Sequence, residues 1–215
     1  MNKLLCLLIS LIASVGPVTL AHAQDAAAGE KKVAMCIGCH GIPGYQATFP
    51  EVHKVPKISG QGAKYIAAAL TAYQKGERRH PTMRGIAASL SDKDIADLAA
   101  FYEQQGKDGA APATVAAPSA ATAELLKKGG CVSCHGENFS KPIDPSYPKL
   151  AGQYGDYLYV ALKSYQVENS PYIGRANPIM SGMVKAFTNK ELKAISSYIG
   201  SLPGELKTVP QSRMH

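Results

Sequence analysis

Apolar and polar positions change their rhythm several times along the chain. Leu4 to Val15 is a nearly unbroken apolar run behind a short basic start, Asn2-Lys3. Further on the spacing becomes helical: Ile66, Leu70 and Tyr73 fall at i, i+4 and i+7, and Leu158, Leu162 and Tyr165 repeat that spacing. Another stripe runs through Ile95, Leu98 and Phe101 or Tyr102, opened by Ser91 with Asp94 three residues later. Its counterpart runs through Leu192, Ile195 and Tyr198 or Ile199, opened by Thr188 with Glu191. A hydroxyl residue followed at that distance by an acid marks a helix N-terminus, because each side chain satisfies a backbone N–H that the helix leaves free. Convincing alternating strands are absent, so the expected fold class is all-α.

Residues 106–121 carry no stripe and are rich in Gly, Ala, Pro, Ser and Thr. Such a composition reads as an extended linker that its prolines make semi-stiff. The apolar start followed by Ala21-His22-Ala23 reads as a secretory signal peptide cleaved before Gln24; Gly16 and Pro17 interrupt it, which argues against a membrane anchor. The expected organisation is a signal peptide over 1–23, a domain over 24–107, a linker over 108–121 and a second domain over 122–215. No later segment is apolar enough to span a bilayer, and export places the mature chain in the periplasm.

The two domains read as copies. Pro56-Lys57-Ile58-Ser59-Gly60-Gln61 recurs as Pro148-Lys149-Leu150-Ala151-Gly152-Gln153, Tyr65 as Tyr157, and Pro81-Thr82-Met83-Arg84-Gly85 as Pro178-Ile179-Met180-Ser181-Gly182. The spacing drifts slightly, as it does when loops gain or lose residues while the elements keep their order. Each copy opens with one pentapeptide: Cys36-Ile37-Gly38-Cys39-His40 and Cys131-Val132-Ser133-Cys134-His135. C-x-x-C-H is the attachment pattern of c-type haem. Two thiols three residues apart lie on one side of a helical turn and can add to the two vinyl groups of one porphyrin. The adjacent histidine then becomes the proximal iron ligand. Two motifs imply two covalent haems c per chain, through Cys36, Cys39, Cys131 and Cys134, with His40 and His135 on the irons.

Of 5 cysteines, Cys6 leaves with the signal peptide and the rest belong to these motifs. None remains for a disulfide, although oxidising compartments favour them. The formal net charge of +7 falls by one when Lys3 leaves with the signal peptide; four haem propionates would offset much of the rest, so the charge gives no argument for nucleic acid. It leaves room for an acidic partner or peripheral membrane association.

Each iron needs a second axial ligand. Met83 and Met180 hold equivalent positions in a Pro-x-Met-x-Gly loop before the last helix, and a thioether is a soft donor that raises the reduction potential. Met183 lies nearby, but its repeat partner is Ile86, so it is assigned to packing. Met35 is assigned to the core, and Met214 lies in the tail. His53, His80 and His215 are read as ordinary surface or loop residues, since the partner of His80 is Asn177. The carbonyls of Pro56 and Pro148 are the expected acceptors for the second ring nitrogen of each proximal histidine. Tyr73, Tyr165, Arg78, Arg79 and Arg175 read equally well as propionate partners or as solvated surface groups.

An N-terminal C-x-x-C-H, a proline loop and a methionine loop before a C-terminal helix resemble class I cytochromes c. The tandem arrangement resembles the cytochrome c4 family, on the haem motifs together with the P-K-[IL]-[SA]-G-Q segments. The resemblance implies two class I domains, each wrapped around one haem. It also implies a carrier of single electrons from a quinol-oxidising complex towards a terminal oxidase, with no small-molecule substrate. The alternative is a dihaem subunit of a periplasmic sulfide or thiosulfate dehydrogenase, in which a partner carries the chemistry. A dihaem peroxidase needs an openable iron, whereas both copies here supply a methionine. Thioredoxin-like and zinc readings of C-x-x-C fail for want of a βαβ context and because the two pairs lie far apart.

Overall fold

The computed structural model describes residues 24–105 and 117–210. The expected signal peptide, most of the expected linker, Met214 and His215 lie outside the described residues. The first domain holds α1 (Ala26–Glu30), α2 (Ala34–His40), α3 (Ala63–Gln74), α4 (Pro81–Ala88) and α5 (Asp92–Gln104). The second holds α6 (Ala120–Lys128), α7 (Cys131–His135), α8 (Gly155–Ser164), α9 (Pro178–Val184) and α10 (Asn189–Ser201). Strands among the described residues are two residues long. β1 (Gln46–Ala47) pairs antiparallel with β2 (His53–Lys54) inside the first domain, and β3 (Arg78–Arg79) pairs antiparallel with β4 (Gly174–Arg175) across the two domains. The fold is all-α, as the periodicity implies.

The helix ends follow local chemistry. Ser91 and Asp94 form a reciprocal capping box on α5, and Thr188 and Glu191 form the same box on α10. One boundary differs from expectation. Helix α6 begins at Ala120, inside the stretch read as linker, because the Ser119 side chain accepts the Thr122 N–H and the residues that follow are alanine-rich. One serine cap is enough to convert the end of a low-complexity segment into helix.

In the first domain α1 crosses α5 at Gly29, where a Cβ would overlap the Asp97 carbonyl. The Asp97 carboxylate, itself 0% exposed, accepts from Lys32 Nζ at 2.9 Å, Lys93 Nζ at 2.9 Å and the Asp25 N–H at 3.1 Å. The N-terminal helix is thereby tied to the last one. In the second domain α8 packs on α10, with Phe139, Leu158, Phe187, Leu192 and Ile195 at the centre of the core.

The repeated P-K-[IL]-[SA]-G-Q segments meet each other at the domain boundary. Gln61 accepts the Lys149 N–H at 2.9 Å and donates to the Lys149 carbonyl at 3.0 Å; Gln153 accepts the Lys57 N–H at 2.9 Å and donates to the Lys57 carbonyl at 2.8 Å. Lys57 Nζ reaches the Gly152 carbonyl at 2.6 Å, and Lys149 Nζ reaches the Gly60 carbonyl at 3.0 Å. Gly60 and Gly152 stand at φ +83° and +74°, a turn that glycine makes without steric cost. In β3 and β4 the equivalent residues Arg78 and Arg175 lie opposite each other. The two copies therefore face one another about a pseudo-two-fold axis, with one patch of each repeat bound to the same patch of the other.

Each glutamine makes two bonds across the boundary, and truncation strands the lysine backbone groups it satisfies. Gln153→Ala is expected to cost about 1–3 kcal/mol, read as a lower urea midpoint; Gln61→Ala should match it. Asp97 makes the first domain acid-sensitive. Hydrogen bonds from Lys32 and then Lys93 outweigh its burial and hold the carboxyl at about 2, below the ordinary aspartate value of about 3.9. A carboxylate depressed in the folded state stabilises above the unfolded value, and that contribution is lost as pH falls towards the folded one. Between pH 4 and pH 2 the thermal midpoint of the first domain should fall, and Asp97→Asn should flatten that dependence while lowering the midpoint at neutral pH.

Candidate functional site

Helix α2 ends on Cys36, Cys39 and His40, and α7 consists of Cys131 to His135 alone. Each short helix follows another, α1 or α6, so the pentapeptide is presented on a separate turn rather than in the middle of a long helix. None of the described cysteines is in a disulfide. Burial pushes the thiols of Cys36 and Cys131 up.

Both histidines are oriented by the carbonyls that the sequence singles out. His40 Nδ1 donates to the Pro56 carbonyl at 2.8 Å, and His135 Nδ1 donates to the Pro148 carbonyl at 3.3 Å. A neutral imidazole that donates through Nδ1 keeps its lone pair on Nε2, the form a metal ligand needs. Burial lowers the pKa of both rings, against the opposing effect of these bonds, and so favours the neutral form.

The methionines stand on helices, not in the loops expected from the sequence. Met83 is on α4 and Met180 on α9, each with proline at the first helical position. The caps are His80 and Asn177: His80 Nδ1 accepts the Met83 N–H at 3.4 Å, and Asn177 Oδ1 accepts the Met180 N–H at 3.0 Å. At the other end Gln74 donates to the Ala87 and Leu90 carbonyls, and Gln166 donates to the Val184 and Phe187 carbonyls. These four residues position the methionine helices, and sequence reading set His80 aside as a loop residue. The cap-Pro order in His80-Pro81 and Asn177-Pro178 was the available signal.

In the second domain the structure brings the sequence-derived residues around one cleft. Cys131, Cys134, His135 and Met180 line it together with Leu150, Leu158, Val184 and Ile195. Tyr65 of the first domain also reaches this cleft, so the second site is completed across the domain boundary.

The boundary itself is cationic and aromatic. The Arg78 guanidinium stacks over Tyr73 and Tyr65, and that of Arg175 over Tyr165 and Tyr157. The Tyr157 hydroxyl accepts from Arg175 at 3.1 Å and from Arg78 at 3.3 Å, while Tyr65 accepts from Arg78 at 3.2 Å. Burial alone would raise the Tyr157 phenol, but the Arg175 and Arg78 charges outweigh it and bring it down to about 8. Nε of Arg78 and of Arg79 is buried without a partner, and no Asp or Glu lines either cavity beside these residues. Buried guanidinium donors lacking a carboxylate, next to an apolar cleft with two thiols and a histidine, fit an amphipathic macrocycle bearing its own carboxylates.

Three smaller assignments change. Met35, expected in the core, is 49% exposed, because α2 turns its other face, with Cys36 and Ile37, to the core. His53, expected at the surface, is 5% exposed and donates through Nδ1 to the Glu51 carbonyl at 2.8 Å. Met183, assigned to packing, is 45% exposed at the edge of the second cleft.

Two domains that each carry a C-x-x-C-H turn with an oriented histidine and a capped methionine helix define a tandem c-type cytochrome. The cytochrome c family model matches residues 26–105 and 119–203. Cytochrome c4 of Pseudomonas aeruginosa is 34% identical, over 94% of this chain and 100% of its own. A thiosulfate dehydrogenase electron acceptor of Stutzerimonas stutzeri is 29% identical, over 89% of this chain and 94% of its own. The solved structure of reduced cytochrome c4 from Pseudomonas stutzeri superposes with a TM-score of 0.63 at 30% identity, covering 84% of this chain and 100% of that one. The chain belongs to the cytochrome c family, in its cytochrome c4 branch: a dihaem electron-transfer protein that binds haem c covalently in both domains. No helix among the described residues is long and apolar enough to cross a membrane.

The caps give a direct test of the methionine helices. Asn177→Ala is expected to cost about 1 kcal/mol, read by urea unfolding of the holoprotein, and Asn177→Ser should recover most of the loss.

Proposed function

We propose that this chain is a periplasmic single-electron carrier that takes electrons from a quinol-oxidising complex and passes them towards a terminal oxidase. Its haems are held by Cys36, Cys39, Cys131 and Cys134, with His40 and Met83 as axial ligands in the first domain and His135 and Met180 in the second. When bound, haem c supplies an iron that cycles between Fe(III) and Fe(II). The protein supplies what makes that cycle fast and selective. The Pro56 and Pro148 carbonyls fix the ring of each histidine, and burial favours its neutral form. The His80 and Asn177 caps fix the backbone of each methionine. Arg78 and Arg79 carry buried Nε donors without partners at the boundary, suited to carboxylates.

The observation that carries the reading is the repetition of a donor for each iron face: an oriented histidine and a capped methionine in both domains. A centre closed on both faces does not take substrate, and it changes shape little between oxidation states. The export reading rests on the apolar leader and its Ala-His-Ala end. A second reading is supported by the Stutzerimonas stutzeri relative, whose name is thiosulfate dehydrogenase electron acceptor: this chain would then receive electrons from such an enzyme.

Optical and EPR spectroscopy of the oxidised holoprotein is expected to show two low-spin centres and no rapid cyanide binding. A high-spin centre that takes cyanide readily would overturn the carrier reading. Met83→Ala should lower one reduction potential and change the other much less. Faster reduction by a thiosulfate dehydrogenase with thiosulfate than by quinol-oxidising membranes would favour the second reading.

A further inference from the structure

We propose that Met183 is a reserve axial donor for the second haem iron, able to replace Met180; the first domain has no such reserve. The proposal rests on the reading of Met83 and Met180 as axial ligands. Met180 and Met183 lie at i and i+3 on α9, hence on one face of the helix and about 4.5 Å apart along its axis. Both line the cleft that also holds Cys131, Cys134 and His135. The equivalent pair in the first domain is Met83 and Ile86, and Ile86 has no lone pair to offer.

Packing on the protein core is not what holds Met183: Val184 beside it is 5% exposed and carries the contact with the core, while Met183 lines the cleft. Helix α9 itself is held at both ends, by the Asn177 cap and by Gln166 on the Val184 carbonyl, so the exchange needs side-chain motion alone. A thioether on three rotatable bonds can sample the space that Met180 vacates.

The test uses the holoprotein and the absorption band that reports iron–thioether bonding in the oxidised state, with EPR as a second readout and haem content checked for every variant. Met83→Ala is expected to remove about half of the band, because nothing replaces the lost donor. Met180→Ala should keep nearly all of it, and the double variant M180A/M183A should lose the second half. Met183→Ala alone should leave the band whole. Ile86→Met in the Met83→Ala background transplants the reserve and should return the lost half, which no effect on folding alone predicts. If Met180→Ala loses as much of the band as Met83→Ala does, Met183 only lines the cleft and the proposal is wrong. Loss of half the band in Met183→Ala overturns it too, by making Met183 the resident ligand. A Met83→Ala protein with its band intact instead overturns the axial methionine reading on which the proposal stands.

Discussion

Two buried guanidiniums facing each other across a pseudo-two-fold axis dominate this molecule. Arg78 and Arg175 are opposite one another in the strand pair that joins the domains, and the nearest groups they hold are phenols. Like charges at such a distance repel strongly once water is removed, and tyrosine faces and hydroxyls offset only part of that cost. Anionic partners would offset the rest, and haem carboxylates are of the right charge. The domain boundary and the second cofactor site share residues: Tyr65 of the first domain and Arg175 both line the second cleft.

Much of this was legible in the sequence. The all-α class, both capping boxes and the hydrogen bonds from His40 and His135 to the Pro56 and Pro148 carbonyls follow from spacing and from the chemistry of single residues. The pairing of the P-K-[IL]-[SA]-G-Q segments did not. Their recurrence marked them as important to each repeat, but nothing in the sequence says that Gln61 and Gln153 satisfy the backbone of the other copy. A glutamine that caps its own domain would leave the same trace in the sequence. The methionine helices were missed for a related reason. Proline and glycine around Met83 and Met180 read as loop residues, whereas a proline at the first helical position favours a helix. His80 was hidden by chemistry rather than position: as an uncommon N-cap it does not announce itself as Asn177 does.

The two domains share an architecture and differ at the positions the pseudo-symmetry leaves free. His80 faces Asn177 in the alignment of the repeats, Arg79 faces Ala176, and Ile86 faces Met183. Each pair lies on or beside a methionine helix, while the central contacts of the interface, Lys57 with Lys149 and Gln61 with Gln153, use identical residues in the two copies. Around them the interface is asymmetric, with Lys54 on Asp156 and Lys163 on Glu51. The central contacts are hydrogen bonds to backbone groups, and such bonds are directional. They fix the relation between the domains more sharply than a greasy contact of equal strength would. A fixed relation lets the local environments diverge without disturbing the path between the sites. Arg79 with its unpartnered Nε and Met183 at the second cleft are differences of this kind, each present in one copy alone. Duplication supplied two equivalent centres, and substitution around α4 and α9 made them different.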